Sequence, residues 1–418
     1  DFVAAIAEGA CLEGEPLGFD LNQFKRWYEQ AGTPTVTVKR TWDSTSGVLR
    51  LNLRQSTPPT PGQPQKQPLV IPLLWTVVPA NGEPGEEQLL VFDQEEHTLE
   101  LKGLPCSEQP PALSLFRQFS APVHWEASQE PAELFTLLAC DNDPFARWDA
   151  GQQLWRRLLL ARASGTPNAD LEGQMLEALT KLLASDGEQD SAVLSTLMAF
   201  PGGPELEALQ QEADPPALYR AACELREQFG QSLAPLLRER LNGVAPDLAL
   251  AWPEGQGQRQ LTGLVWAWLA AAGDSAVRKA ALAAVGGPSM TLARAALRAL
   301  QPLDCPEREE ALRQFHDRWQ EKPVIFDSWF ALEASTPRAD GLQRVASLLQ
   351  HPRFDPMAPN AVRAVLGGFA GNLLVFHAED GSGYRFMAEQ IIALDQRNAI
   401  TASRLAKVFS RWGTYSSK

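Results

Sequence analysis

Residues 143–163 read DPFARWDAGQQLWRRLLLARA, and the period of this stretch decides the fold of most of the chain. Phe145, Trp148, Trp155 and Leu158 recur at helical spacing and share one face. Asp143 offers a carboxylate to the first free N–H groups, and Pro144 brings a φ suited to the first helical position. Strand signals cease downstream of Pro131. Helical stretches then follow one another, the last of them predicted at 306–319, 324–334, 341–350, 360–370, 383–396 and 401–411, with short polar connections. Many short helices, each burying a face on its neighbours, predict a large all-α irregular solenoid over residues 128–418.

Upstream the period falls to two. Thr35-Val36-Thr37-Val38 and Val48-Leu49-Arg50-Leu51-Asn52-Leu53-Arg54 alternate, Leu69–Val78 is an apolar run interrupted by Pro72, and 89–92 and 98–101 are short and β-rich. Broken by Pro, Gly and Asn, this pattern predicts an antiparallel β-sandwich over 34–127. The prolines between Ser56 and Gln63 cannot donate to a ladder and read as an extended loop, either a rigid connector or a proline-rich ligand. Residues 1–33 read as two helices, the second capped by Asp20, with Leu21, Phe24, Trp27 and Tyr28 on its apolar face and Gly32 at its end. The whole is a multidomain α+β chain of three parts, 1–33, 34–127 and 128–418.

A length of 418 residues exceeds one hydrophobic core. The net charge of −14 argues against general nucleic-acid binding, which needs a basic face, and against an anionic membrane surface. No apolar run approaches the ~20 residues of a membrane span, and no signal peptide is read. Five widely spaced cysteines without CxxC predict buried free thiols and a reducing, cytoplasmic setting. The chain begins at Asp1 directly in a helical pattern, which is expected of a piece of a longer protein.

Catalytic motifs are missing. The five histidines offer no pair at the i, i+4 spacing that places two imidazoles on one helix face, and HExxH is absent. There is no GxSxG elbow and no phosphate-cradling GxxxxGK[ST] or GxGxxG. Two late features remain. In His377-Ala378-Glu379-Asp380-Gly381-Ser382-Gly383-Tyr384, Gly381 and Gly383 permit left-handed backbone, and Asp380 or Ser382 can cap the helix that follows. The loop reads as structural, or as one that turns Glu379 and Asp380 into a cavity. Arg404, at the start of the helix predicted over 401–411, reads either as a solvated arginine or as a donor fork aimed into a channel.

Several segments resemble one family, the bacterial aminopeptidase N type of zinc metallo-aminopeptidase. They are Asp1-Phe2-Val3, Arg26-Trp27-Tyr28 with Gly32-Thr33-Pro34, Thr57-Pro58 with Lys66-Gln67-Pro68-Leu69, Phe119-Ser120-Ala121-Pro122-Val123, Arg147-Trp148-Asp149-Ala150, Trp329-Phe330-Ala331-Leu332-Glu333-Ala334, Phe376–Tyr384 and Ala402-Ser403-Arg404-Leu405. The resemblance implies that 1–33 is the tail of a catalytic domain, followed by the family's β-sandwich and its helical C-terminal domain, ending before the family's final helices. It implies zinc in the full-length enzyme, bound by none of the residues here. The implied partners are peptides with a free N-terminus and the upstream catalytic domain of the same chain. It places Arg404 toward the substrate chamber, although the family often has a polar residue where this chain has Ile400. The piece alone is expected to be inactive. The competing expectation is a stand-alone α-solenoid scaffold that binds proteins without catalysis.

Overall fold

The computed structural model describes residues 2–12, 18–79, 82–184, 190–242 and 254–416. Contacts divide the chain into two units, Asp1–Leu154 and Trp155–Lys418, and the division falls inside the helix Pro144–Ala163.

The first unit opens with the helix Phe2–Leu12. The single helix expected after Asp20 is broken at Lys25 into Leu21–Phe24 and Arg26–Glu29, with the Asp20 carboxylate accepting from the Asn22 N–H at 2.8 Å. The break accompanies side-chain anchoring: Trp27 Nε1 donates to Val70 O at 2.8 Å and Arg26 Nη1 to Pro68 O at 2.6 Å. Seven strands follow: β1 Thr35–Asp43, β2 Val48–Ser56, β3 Ile71–Val78, β4 Gln88–Phe92, β5 Glu96–Leu101, β6 Ala112–Leu115 and β7 His124–Ala127. They form sheets of order β5-β2-β1-β7 and β4-β3-β6. Pairing is antiparallel except for β1 with β7, where Thr35 faces His124 in a parallel register. The alternation read from β2 is real, since Leu49, Leu51 and Leu53 are buried and pack with Ile71, Leu73, Phe92 and Leu115 of the other sheet. Pro72 is tolerated because β6 pairs with β3 only from Trp75 to Val78, leaving that end with one neighbour. The proline loop is a tied connector: Lys66 Nζ donates to Thr60 Oγ1, Gln63 Oε1 and Ala31 O at 2.7–2.9 Å.

The second unit is helical throughout among its described residues, apart from turns and a single bridge between Ala213 and Tyr415. Trp155 is its first large anchor. It is wholly buried, meets Phe200, Phe229 and Trp268 edge-on, and donates Nε1–H to Leu197 O at 3.2 Å. The helix expected over 360–370 begins at Pro359, widens into a π turn at Arg363–Gly367 and ends at Ala370. There a Cβ on Gly368 would come within 3.1 Å of Ala331 Cα, so the glycine lets the helix Pro323–Ser335 pack closely and a larger residue would push it back by a few tenths of an ångström.

No helix among the described residues is long and apolar enough to cross a membrane. Of the expected buried thiols, Cys305 is buried, Cys140 and Cys223 are half-buried, and Cys106 is exposed in the turn after β5. The side chain of Cys11 lies outside the described residues.

Candidate functional site

The loop His377–Tyr384 is built from below by Asn372. This buried amide donates to Thr336 O at 2.8 Å and accepts from the Val375 N–H at 3.4 Å, capping the short helix Leu373–Phe376. The chain then turns through Gly381, whose φ of 69° is the left-handed conformation expected of it, and enters the helix Ser382–Asp395. Asp380 Oδ1 accepts from the Ser382 N–H at 2.9 Å, and this bond, with the Ser382 hydroxyl, holds its carboxyl below the usual range. Gly383 differs from expectation. Its φ is not positive; it is needed because a Cβ would lie 2.5 Å from Val375 O and closer still to Phe376 O.

Glu379 and Asp380 are exposed. His377 and Tyr384 turn inward instead, with Nδ1 and the phenol oxygen 2.6 Å apart. Tyr415 stacks edge-on against His377 at 4.8 Å, and Phe376 flanks both His377 and Tyr384. Burial lowers the His377 pKa to about 4 in spite of Asp214, so the ring is neutral at pH 7. Burial also raises Tyr384 and Tyr415, and raises Glu207 against the opposing pull of Arg411, 3.0 Å away. The segment after Arg411 is tied down by Ala213 N–H to Thr414 O at 2.7 Å and Ser416 N–H to Ala213 O at 2.9 Å. The loop thus fastens helices together, and the hydroxyl beside its histidine is the half-buried phenol of Tyr384.

Arg404 is placed differently from expectation. Asn398 accepts from the Thr401 N–H at 3.0 Å and starts the helix at Ala399, so Ala399–Leu405 ends just past Arg404 and a 3₁₀ turn, Ala406–Phe409, takes over. Arg404 therefore lies in the last turn rather than the first. It is exposed, and its side chain makes no hydrogen bond or ion pair among the described residues. Ile400, one turn earlier on the same face, is 68% exposed. The helix thus presents a guanidinium and an adjacent apolar side chain to whatever lies outside it.

Long-range pairings escaped the sequence reading. Glu333 is buried and meets Arg338 at 3.4 Å and Arg344 at 3.8 Å, and Arg338 also pairs with Glu309. His316 and His351, which no local spacing pairs, come together with Nε2 atoms 3.4 Å apart. Asp317 lies at His316 Nδ1, and the Arg353 N–H donates to His351 Nδ1, so the network assigns the shared proton to His351 Nε2. A carboxylate inside the apolar run Trp329–Ala334 was the one available signal for the Glu333 network. A hollow of 510 Å³ lies elsewhere, lined by Asp190, Ser191, Gln256, Gly257 and Gln258 among others.

The zinc implied by resemblance finds no fit here: among the described residues no three His, Cys, Asp or Glu side chains converge as ligands. No chemical step is derived through it.

Comparison with known proteins bears on the whole chain. The family model described as "Domain of unknown function (DUF3458_C) ARM repeats" matches residues 131–418, and that described as "Domain of unknown function (DUF3458) Ig-like fold" matches 32–128. A Caulobacter vibrioides protein named Aminopeptidase N is 36% identical over 99% of this chain and 47% of its own length. An Escherichia coli protein of the same name is 33% identical over 100% of this chain and 48% of its own. The crystal structure of Legionella pneumophila aminopeptidase A in complex with aspartic acid matches with a TM-score of 0.82 and 25% identity, over 99% of this chain and 48% of that one. The chain spans about half the length of the curated relatives it matches.

Proposed function

The chain belongs to the family of the ARM-repeat model covering residues 131–418 and corresponds to the C-terminal part of aminopeptidase N-like proteins; from that premise we propose that it caps and gates the active-site chamber of a zinc metallo-aminopeptidase that releases N-terminal residues from peptides. The observation that carries this reading is the match to aminopeptidases along essentially the whole chain, sandwich and solenoid together. A free-standing scaffold has no comparable support.

In this reading the chemistry and the zinc belong to the full-length enzyme, and the divisions 1–33, 34–127 and 128–418 are a catalytic-domain tail, a spacer and a lid. Peptides with a free N-terminus are the substrates. Arg404 faces the chamber and offers its fork to a peptide carbonyl or carboxylate. Its exposure and its freedom from other pairing support that role, and the half-buried or buried free thiols of Cys140, Cys223 and Cys305 support a cytoplasmic setting.

The test compares the full-length protein with this chain alone on an alanyl chromogenic substrate with zinc added. Turnover is expected only from the full-length protein. Zinc-dependent turnover by the chain alone would overturn the division of labour.

A further inference from the structure

In the first unit the large hydrophobic side chains left exposed among the described residues are Phe2, Ile6, Tyr28, Leu89 and Phe119. Two of these belong to one continuous surface. In the antiparallel β3–β4 pair, Pro72 faces Val91 and Leu74 faces Leu89, and directly opposed residues share a face. That face points away from the sandwich core, which takes the alternate residues Ile71, Leu73 and Phe92. The Leu74 N–H donates to Ser120 Oγ at 3.1 Å, which sets Phe119 beside the strip. The Phe119 ring meets Phe145 at 5.4 Å and extends the surface further, yet Phe119 is 58% exposed and Leu89 60% exposed.

The backbone is strained to hold Phe119 there. Phe116, Gln118 and Phe119 have φ of 52°, 57° and 54°, a left-handed region that costs a non-glycine residue roughly 1–2 kcal/mol. A buried clamp enforces it. Arg117 Nη1 donates to Asp141 at 2.6 Å, Nε to Glu87 at 2.7 Å and Nη2 to Asn142 at 2.5 Å, while the Gln118 N–H donates to Asp143 at 3.1 Å. Relaxing the turn to ordinary φ would re-aim Phe119, and the clamp forbids it. Strain maintained at an exposed aromatic marks a surface that something else uses.

We propose that the outer face of β3–β4, with Phe119 at its rim, is the docking surface for the half of the aminopeptidase-like protein that its relatives carry outside the matched region. This rests on the proposed function. The occupant follows from position. The segment Leu21–Glu29 is anchored on the same ribbon, with Trp27 on Val70 O and Arg26 on Pro68 O, immediately before β3. Tyr28, a further exposed hydrophobic of the unit, lies on that segment, and Phe2 and Ile6 lie on the separate helix Phe2–Leu12 upstream of it. A body joined to it is tethered beside the strip, at the high effective concentration of an intramolecular contact.

Hydrogen–deuterium exchange on the full-length protein and on this chain alone tests the proposal. Backbone amides of 73–74, 89–91 and 118–120 are expected to exchange about tenfold or more slowly in the full-length protein. The double variant Leu89→Ser, Phe119→Ser is expected to lower the urea midpoint of the isolated chain only slightly, through the lost Phe119–Phe145 contact, and to lower that of the full-length protein by clearly more. Equal exchange in the two proteins overturns the docking surface. Protection that instead rises with the concentration of the isolated chain overturns the assigned occupant in favour of a second copy. Aminopeptidase activity is read on the same full-length samples: activity with equal exchange refutes the docking alone, whereas protection without activity supports the docking and refutes the functional reading.

Discussion

His377 is held neutral because burial outweighs the attraction of Asp214, which brings its pKa to about 4. The unfolded chain takes up a proton near pH 6.5, and the folded chain resists it. The stabilising contribution is therefore present above pH 6.5 and is lost as the pH falls toward 4. His377→Gln keeps a polar partner for Tyr384 and removes the titration. Urea unfolding at pH 7 and pH 4.5 is expected to show a smaller loss of stability in the variant, by roughly 1–2 kcal/mol after discounting for solvent screening. Arg404 belongs to a different problem, because the role proposed for it concerns a ligand and not the fold. In the full-length protein Arg404→Ala is expected to lower kcat/KM for longer peptides about tenfold, with zinc content unchanged. Equal kinetics at every peptide length would make it a surface residue. The sequence indicated that Gly381 needs left-handed backbone, yet it misjudged Gly383. Local spacing shows where a chain turns but not what lies beneath the turn.

Helices proved easier to read than the small strands. The alternation of β2 is dictated by burial on one side and water on the other, whereas Pro144–Ala163 keeps a helical apolar period although none of residues 145–163 is fully exposed. β6 and β7 hold four residues each, too few for a period to emerge, and β7 forms the one parallel pair. Helix ends shifted where a cap overrode the apolar pattern, as when Asn398 began its helix at Ala399 and left Arg404 in the last turn. The close approach beneath the helix Ser382–Asp395 gives an element-scale prediction. Gly383→Ala drives a methyl into the carbonyls of Val375 and Phe376, which are backbone and cannot rotate away. A stability loss of roughly 1–3 kcal/mol is expected, read as a lower urea midpoint. An unchanged midpoint would show that the short helix Leu373–Phe376 yields freely.

At the scale of the molecule, the succession of helical segment, sandwich and solenoid was legible because each has its own hydrophobic period. The polar pairings were not. Arg117 with Asp141, Arg338 with Glu309, and His316 with His351 each join separate stretches of the chain, and their partners are chosen by the fold rather than by spacing. The proposed site is correspondingly less legible than the fold, since an exposed arginine has no sequence signature. One such long-range contact bears on how the protein is made. The strand-like bridge between Ala213 and Tyr415 joins two points separated by about three quarters of the second unit. During synthesis Tyr415 emerges only after the helices from Pro215 onward have left the ribosome, so this fastening forms after them. Until then Glu207 lacks Arg411 and His377 lacks its covering ring, leaving an open seam in a helical unit that is otherwise complete up to that point.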